Sequence, residues 1–188
     1  MEALKTHTQE ELNKILENHK KWLENNNQGK RANLYRADLS RADLRGAYLN
    51  EADLYEAELR EAYLVGVDLS RAKNVPFIPM ACPDEGEFIG WKKAYVENHQ
   101  ALVKLKILED SKRSSATGRK CRTDKAFVLS IIDLKEDKEC SKAFSNYDND
   151  FKYTVGEIVS VPDFDDDRFN ECAPGIHFFI NKEEALNY

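Results

Sequence analysis

The stretch from Arg31 to Asn50, RANLYRADLSRADLRGAYLN, sets an alanine and a leucine two positions apart and repeats the pair every five residues. The pattern continues: Leu34, Leu39, Leu44, Leu49, Leu54, Leu59, Leu64 and Leu69 recur without a gap, preceded in turn by Ala32, Ala37, Ala42, Ala47, Ala52, Ala57, Ala62 and Val67. On an α-helix, five residues advance a side chain by about 140°, which scatters these leucines around the rod. On a straight strand, the odd step turns every second repeat outward. What remains is a chain that turns a corner once per repeat, so that each alanine and leucine faces one axis.

A second pattern sets the number of corners. The residue that opens each repeat runs Arg31, Arg36, Arg41, Gly46, Glu51, Glu56, Glu61, Gly66, Arg71. At a separation of twenty residues Arg31 meets Glu51 and then Arg71, Arg36 meets Glu56, and Arg41 meets Glu61. Residues stacked one coil apart lie at roughly the 4.8 Å inter-strand distance, where opposite charges attract. Four repeats per coil are therefore expected, with Tyr35 stacked on Tyr55 and one unfavourable overlay, Asp38 on Glu58.

These residues resemble the pentapeptide-repeat family, whose A(D/N)Lxx motif is matched by nine copies from Arg31 to about Val75, decaying at RAKNV where Asn74 stands in place of leucine. The resemblance implies a mostly β fold: a short right-handed quadrilateral β-helix with leucine at the central inward position. Nine copies give about two and a quarter coils, a column roughly 10 Å tall. Some members of that family mimic duplex DNA and act on DNA gyrase. A mimic needs a long acidic rod, whereas this column is short and alternates arginine with glutamate, so the resemblance carries the fold and not that activity.

Each open end of such a column exposes leucines, and burying one is worth roughly 1.5–3 kcal/mol, so a cap is required. Residues 1–30 read as that cap. Thr8 with Glu11 three positions on is a capping box, and Leu12, Ile15, Leu16, His19, Trp22 and Leu23 follow at helical spacing before ENNNQGK ends the helix. The expected contact runs through Trp22 and Leu23, and residues after Pro76 or a second copy of the chain would cover the far end.

Length, 188 residues, allows one ordinary domain or two small ones, and a net charge of −6 argues against bulk attraction to nucleic acid or membrane. No apolar run approaches the roughly 18 residues of a membrane span, and MEALKTHTQEELNK lacks the layout of a secretory signal, so a cytoplasmic address is expected. Cys82, Cys121, Cys140 and Cys172 are irregularly spaced without a CxxC pair, which reads as reduced thiols with no zinc site.

Residues 76–87 hold Pro76, Pro79 and Pro83 and no period, so they read as a linker. Residues 88–188 read as a small β-rich α+β domain with strands at GWKKAYV, ALVKLKI, AFVLSII, YTVGEIVSV and GIHFFI and a last helical turn capped by Asn181. Its core is expected from Val103, Leu105, Ile107, Val128, Ile131, Ile132 and the IHFFI group.

Three polar stretches in this domain carry chemistry worth weighing. KRSSATGRKCR gathers Lys112, Arg113, Arg119, Lys120 and Arg122 around Ser114, Ser115, Thr117 and Gly118. Cationic forks, hydroxyls and a flexible backbone suit a phosphate, although the P-loop spacing is absent; a solvated basic loop or internal ion pairing is the plain alternative. DFDDDRFNEC offers Asp163, Asp165, Asp166, Asp167 and Glu171, but without the glycine of a calcium loop it reads as an acidic turn that neutralises the basic one, and no metal is expected. ECAPGIHFF sets Cys172 and His177 across a Pro-Gly turn, a candidate nucleophile and base with no thiol-enzyme signature around them. Strand alternation puts Ile176, Phe178 and Ile180 on one face and His177 on the other.

CPDEGEFIGWKKA, KRSSATGRKCR, YTVGEIV and CAPGIHFF together resemble a C-terminal domain of unknown function that accompanies short pentapeptide repeats in bacteriophage and prophage proteins. The resemblance implies a viral or prophage source and names no reaction. The leading expectation is a non-enzymatic, phage-type binding protein that needs no cofactor. In it the repeat column serves as scaffold or homo-oligomer interface, and the second domain binds an anionic small molecule such as a nucleotide, a host signalling nucleotide being the concrete version. Lys112, Arg113, Ser114, Ser115, Thr117, Arg119, Lys120, Arg122 and His177 would be the contacts, with Tyr153, Trp91 or His177 as a stacking face. The alternatives are an inhibitor or adaptor that grips a host protein, and an enzyme using Cys172 and His177.

Overall fold

The computed structural model describes residues 3–25, 27–146, 148, 150–170 and 173–188. The fold is mostly β, with two helices among the described residues, and it divides into two compact units. The first takes the chain up to Pro79 together with Ala116–Gly118 and a short segment beginning at Asp167; the second holds Met80–Ser115, Arg119–Asp166 and the last residues of the chain.

The first unit opens with β1 (Lys5–Thr6) and α1 (Gln9–Glu24), followed by β2 (Ala37–Asp38). Beyond β2 the repeats form isolated parallel bridges, and every one joins residues twenty apart: Asn33 to Asp53, Asp38 to Glu58, Asp43 to Tyr63, Tyr48 to Asp68, Asp53 to Lys73. Leu34, Leu39, Leu44, Leu49, Leu54 and Leu69 are buried in one cluster, whereas Leu59 and Leu64 are only partly covered.

The corners explain the rest of the motif. Arg36, Arg41, Glu51, Glu56, Glu61 and Arg71, one per repeat, sit at φ between 55° and 61°, and Gly46 and Gly66 occupy the equivalent places at 67° and 73°. The Asx position satisfies the corner: Asn33, Asp38, Asp43, Asp53 and Asp68 each accept from the backbone N–H two residues on, at 2.9–3.2 Å. The unfavourable overlay of Asp38 on Glu58 is relieved in this way, since Asp38 turns to the Ser40 N–H and Glu58 pairs with Arg60 at 3.2 Å. Arg36 pairs with Glu56 at 3.3 Å and Arg41 with Glu61 at 2.9 Å, while Arg31 Nε donates to the Glu51 backbone oxygen at 2.7 Å. Tyr35 and Tyr55 stack with centroids 5.7 Å apart. Asn74 keeps the register without its leucine, donating to Asp53 Oδ1 at 3.0 Å.

The first turn of the repeat leaves a row of unpaired backbone groups, and the N-terminal segment satisfies them. β1 pairs in parallel with β2. The Gln9 amide donates to Asp43 O and accepts from Asp43 N, both at 3.0 Å, and so stands in for a neighbouring strand. His19, fully buried, accepts the Ala32 N–H at Nδ1 (3.1 Å), which leaves Nε2–H to donate to Asn50 O (2.9 Å). The cap therefore corrects the expectation from sequence: Leu12, Ile15 and Leu16 pack on the leucine cluster and His19 bonds to the first turn, whereas Trp22 and Leu23 are not part of that cluster and Trp22 stacks on His19. At the opposite end Ile78 and Phe169 join the leucine cluster, Thr117 donates its hydroxyl to Leu64 O, and Arg168 donates to Ile78 O and Ala116 O at 3.0 and 2.8 Å.

The second unit contains β3 (Phe88–Val96), β4 (His99–Ile107), β5 (Arg113–Ser115), β6 (Cys121–Thr123), β7 (Lys125–Asp133), β8 (Lys138–Glu139), β9 (Lys142–Phe144), β10 (Lys152–Thr154), β11 (Ile158–Ser160), β12 (Ile176–Phe178) and α2 (Lys182–Asn187). Its larger sheet runs β10-β9-β3-β4-β7-β11 with β8 beside β7; the smaller runs β12-β6-β5. β10 and β11 lie at opposite ends of the large sheet, yet only residues 155–157 separate them. Six flat strands would span about 24 Å, and that link reaches about 14 Å at most, so the sheet curls around its core.

Two expectations from sequence are corrected. YTVGEIVSV is not one strand but β10 and β11, broken at Gly156 (φ 84°). The basic stretch is not a flexible loop between strands but a hairpin whose two arms are β5 and β6. The core contains Val103, Leu105, Ile107, Val128 and Ile131 as expected, whereas Ile132 is half-exposed because alternation along β7 turns it away. Among the described residues no helix is long and apolar enough to cross a membrane.

Candidate functional site

The site begins with β3, FIGWKKAYV, paired along its length with β4. Gly90, Lys92 and Ala94 share the face that packs inward, opposite Leu105, Val103 and Ala101, which are fully buried. Gly90 is required there, because a Cβ would come within 2.5 Å of the Phe178 ring. Lys92 is therefore a lysine in an apolar row. No carboxylate of the described residues pairs with it, and burial, with Lys120 as a second cation, pulls its pKa down to about 8.

Along its other edge β3 is bridged twice: Trp91 exchanges backbone hydrogen bonds with Phe179 at 2.7 and 2.8 Å, and Tyr95 pairs with Phe144 of β9. Lys93 falls between the two and pairs with neither. At this interruption the curled sheet opens into a cavity of about 740 Å³, in the size range of small-molecule sites. Three lysines, Lys92, Lys93 and Lys120, line it against two aspartates, Asp148 and Asp163, and Asp148 already accepts from the Asp150 N–H at 2.9 Å. The apolar wall is aromatic: Phe151 meets Tyr153 edge-on at 5.4 Å, and Phe179 meets Tyr188 at 5.0 Å. Tyr153 is 1% exposed, and burial pushes its phenol up, so it stays neutral. Lys120 Nζ lies 3.4 Å from the Tyr188 hydroxyl and over its ring.

Of the residues expected to hold an anion, the fold brings Lys120 and His177 to this cavity. The others are placed elsewhere. Lys112 pairs with Asp166 at 3.2 Å and Arg119 with Glu184 at 2.7 Å. Arg113 donates to four backbone oxygens, those of Ser111, Gly86, Leu108 and Glu109, and stacks over Phe88. Arg122, 4% exposed, donates to Asp165 O at 2.9 Å and lies over Phe164. Ser114 is buried in β5, Ser115 accepts from the backbone of Ala81 and Cys82, and Thr117 belongs to the first unit. The hairpin thus works mainly as a polar brace. The acidic stretch is likewise dispersed: Asp163 lines the cavity, Asp166 meets Lys112, and Asp167 accepts from the Phe169 N–H. Glu171 and Cys172 lie outside the described residues, so the Cys172 and His177 pairing has no described geometry.

Of the three stacking candidates, Tyr153 and His177 line the cavity; Trp91 does not, its ring lying between Lys104 and Lys182. Lys92 was not singled out by its residue type or by a motif. Its signal was the alternation in GWKKAYV, which puts one of two adjacent lysines on the face of Gly90 and Ala94.

Residues 78–185, more than half of the chain, match the family described as Family of unknown function (DUF5758), and residues 32–71 match the Pentapeptide repeats in 8 copies. The chain belongs to the DUF5758 family. The cavity, including Lys92, Lys120 and His177, lies wholly inside the span that the DUF5758 match covers, apart from Tyr188. The ninth repeat read from sequence, RAKNV ending at about Val75, lies beyond the eight matched copies. Among curated proteins, the chain is 38% identical over 100 residues to an uncharacterized protein of Acanthamoeba polyphaga mimivirus, an alignment covering 48% of this chain and 64% of that protein. No solved structure matches.

Proposed function

We propose that this DUF5758 member is a non-enzymatic binding protein whose second unit holds an anionic small molecule with a planar group, a nucleotide being the concrete form. The observation that carries the reading is Lys92. A half-buried ammonium beside an apolar row is costly unless a counter-charge meets it, and none of the described carboxylates does. A phosphate or carboxylate entering the cavity would supply that charge between Lys92 and Lys120, and Phe151 and His177, both partly exposed, offer faces for a ring, with fully buried Tyr153 behind Phe151. The repeat segment is the scaffold. Its twenty-residue bridges, inward leucines and one left-handed residue per corner support reading it as a right-handed quadrilateral β-helix. The mimivirus relative supports a viral-type setting, in which the binding domain sequesters a host nucleotide.

The test is native mass spectrometry of the whole chain mixed with nucleoside mono-, di- and cyclic phosphates. One adduct per chain, absent with the uncharged nucleosides, is the expected result. Equal adduct levels with phosphorylated and uncharged compounds would contradict the reading.

A further inference from the structure

Lys92 has features that an anion clamp alone does not need. Its amine rises from the inward face of β3, beside fully buried Val103 and Ala94, and opens into the cavity at the interruption between Phe144 and Phe179. The second cation nearby, Lys120, is held by Tyr188. Burial and a neighbouring cation are the two means by which a lysine is made nucleophilic near neutral pH, and both act here; they bring the pKa of Lys92 to about 8. Arginine at this position would clamp an anion at least as well, through its planar fork, but could not serve as a nucleophile.

We propose that Lys92 is an amine nucleophile and that the anionic molecule taken up by the cavity carries an aldehyde or ketone, which Lys92 captures as an imine. The proposal rests on the anion-binding reading above, though not on its nucleotide version. The unprotonated Nζ attacks the carbonyl carbon, a C–N bond forms, and the π pair of C=O moves to oxygen. A proton passes from nitrogen to that oxygen to give a carbinolamine. The nitrogen lone pair then expels the hydroxyl group, which leaves as water with one further proton taken up, and loss of the remaining N–H proton gives C=N. One amine and one carbonyl yield one imine and one water, and no oxidant or reductant is consumed. Lys120 and Lys93 would hold the anionic group of the incoming molecule while this occurs.

The full chain is incubated with pyridoxal 5′-phosphate as an anionic aldehyde probe, reduced with borohydride, digested and mapped by mass spectrometry. Pyridoxine 5′-phosphate, which lacks the carbonyl, is titrated in parallel by calorimetry. Lys92 is expected to be labelled at least tenfold faster than the exposed Lys14 and Lys138, saturably, and pyridoxine 5′-phosphate is expected to protect it. Lys92→Arg is expected to lose the fast labelling while still binding pyridoxine 5′-phosphate. Lys92→Met, which removes the half-buried charge and leaves an apolar side chain of similar length, is a second variant should the arginine not fit, and it too is expected to lose the fast labelling. Binding of pyridoxine 5′-phosphate with no preferential labelling of Lys92 would overturn the imine and leave the anion site standing. No binding and no preferential labelling would overturn both.

Discussion

His19 joins α1 to the first turn of the repeat through both ring nitrogens, one accepting and one donating. Only the neutral ring can do this, and burial, the largest cause, holds its pKa below the ordinary 6.5. The unfolded chain therefore binds a proton that folded His19 resists, so this contribution to stability is full above about pH 6.5 and declines as the pH falls below it. Urea denaturation should show a lower midpoint at pH 5.5 than at pH 7.5, and His19→Gln should lose that part of the difference. Lys92 has the opposite charge logic: at pH 7 it is protonated in both states, but the folded state disfavours the charge. Lys92→Met is expected to stabilise the protein on the order of 2 kcal/mol at pH 7, read as a higher denaturation midpoint. Gly46→Ala, at φ 67° with open space around it, should cost about 1 kcal/mol through backbone strain alone. His19 was legible in the sequence as part of an apolar stripe, although its two hydrogen bonds were not, because they depend on which backbone groups the adjacent turn leaves open. Lys92 was hidden by its neighbour Lys93, since a Lys-Lys pair reads as a solvated strand until the opposite strand places Val103 beside it.

At the scale of elements, the repeat shows which parts of a motif bear stability. Leu44, 1% exposed, sits in the leucine stack, and Leu44→Ala is expected to cost about 2–5 kcal/mol. The Arg41–Glu61 pair has side chains 79% and 62% exposed, and exchanging the two residues should change stability by less than about 1 kcal/mol. Thermal denaturation of both variants checks the contrast. The five-residue period was legible because the same corner geometry and an inward leucine recur, with the Asx contact made at Asn33, Asp38, Asp43, Asp53 and Asp68. The closure of the far end was not, since Thr117, Arg168 and Phe169 come from segments distant in sequence and carry no period. The basic hairpin was legible as a cluster of donors. That Arg113 and Arg122 donate to backbone oxygens follows from where the fold brings the carbonyls of Gly86, Leu108 and Asp165, which no local pattern announces.

Across the whole chain, the loud signal and the candidate chemistry fall in different units. The repeats are matched over 40 residues, while the DUF5758 span contains the curled sheet, Lys92 and, apart from Tyr188, the cavity. Against a net charge of −6, the three lysines that line the cavity beside two aspartates are a local exception, and the anion proposal rests on them. The most direct measurement is calorimetric titration of the full chain with mono-, di- and cyclic nucleotides and with pyridoxine 5′-phosphate, in the natural sequence and in the double variant Lys92→Met, Lys120→Met. Saturable binding of at least one of these anions at one per chain, weakened at least tenfold in the double variant, is the expected result. Binding of equal strength in both proteins, or no heat with any anion, would contradict the anion site.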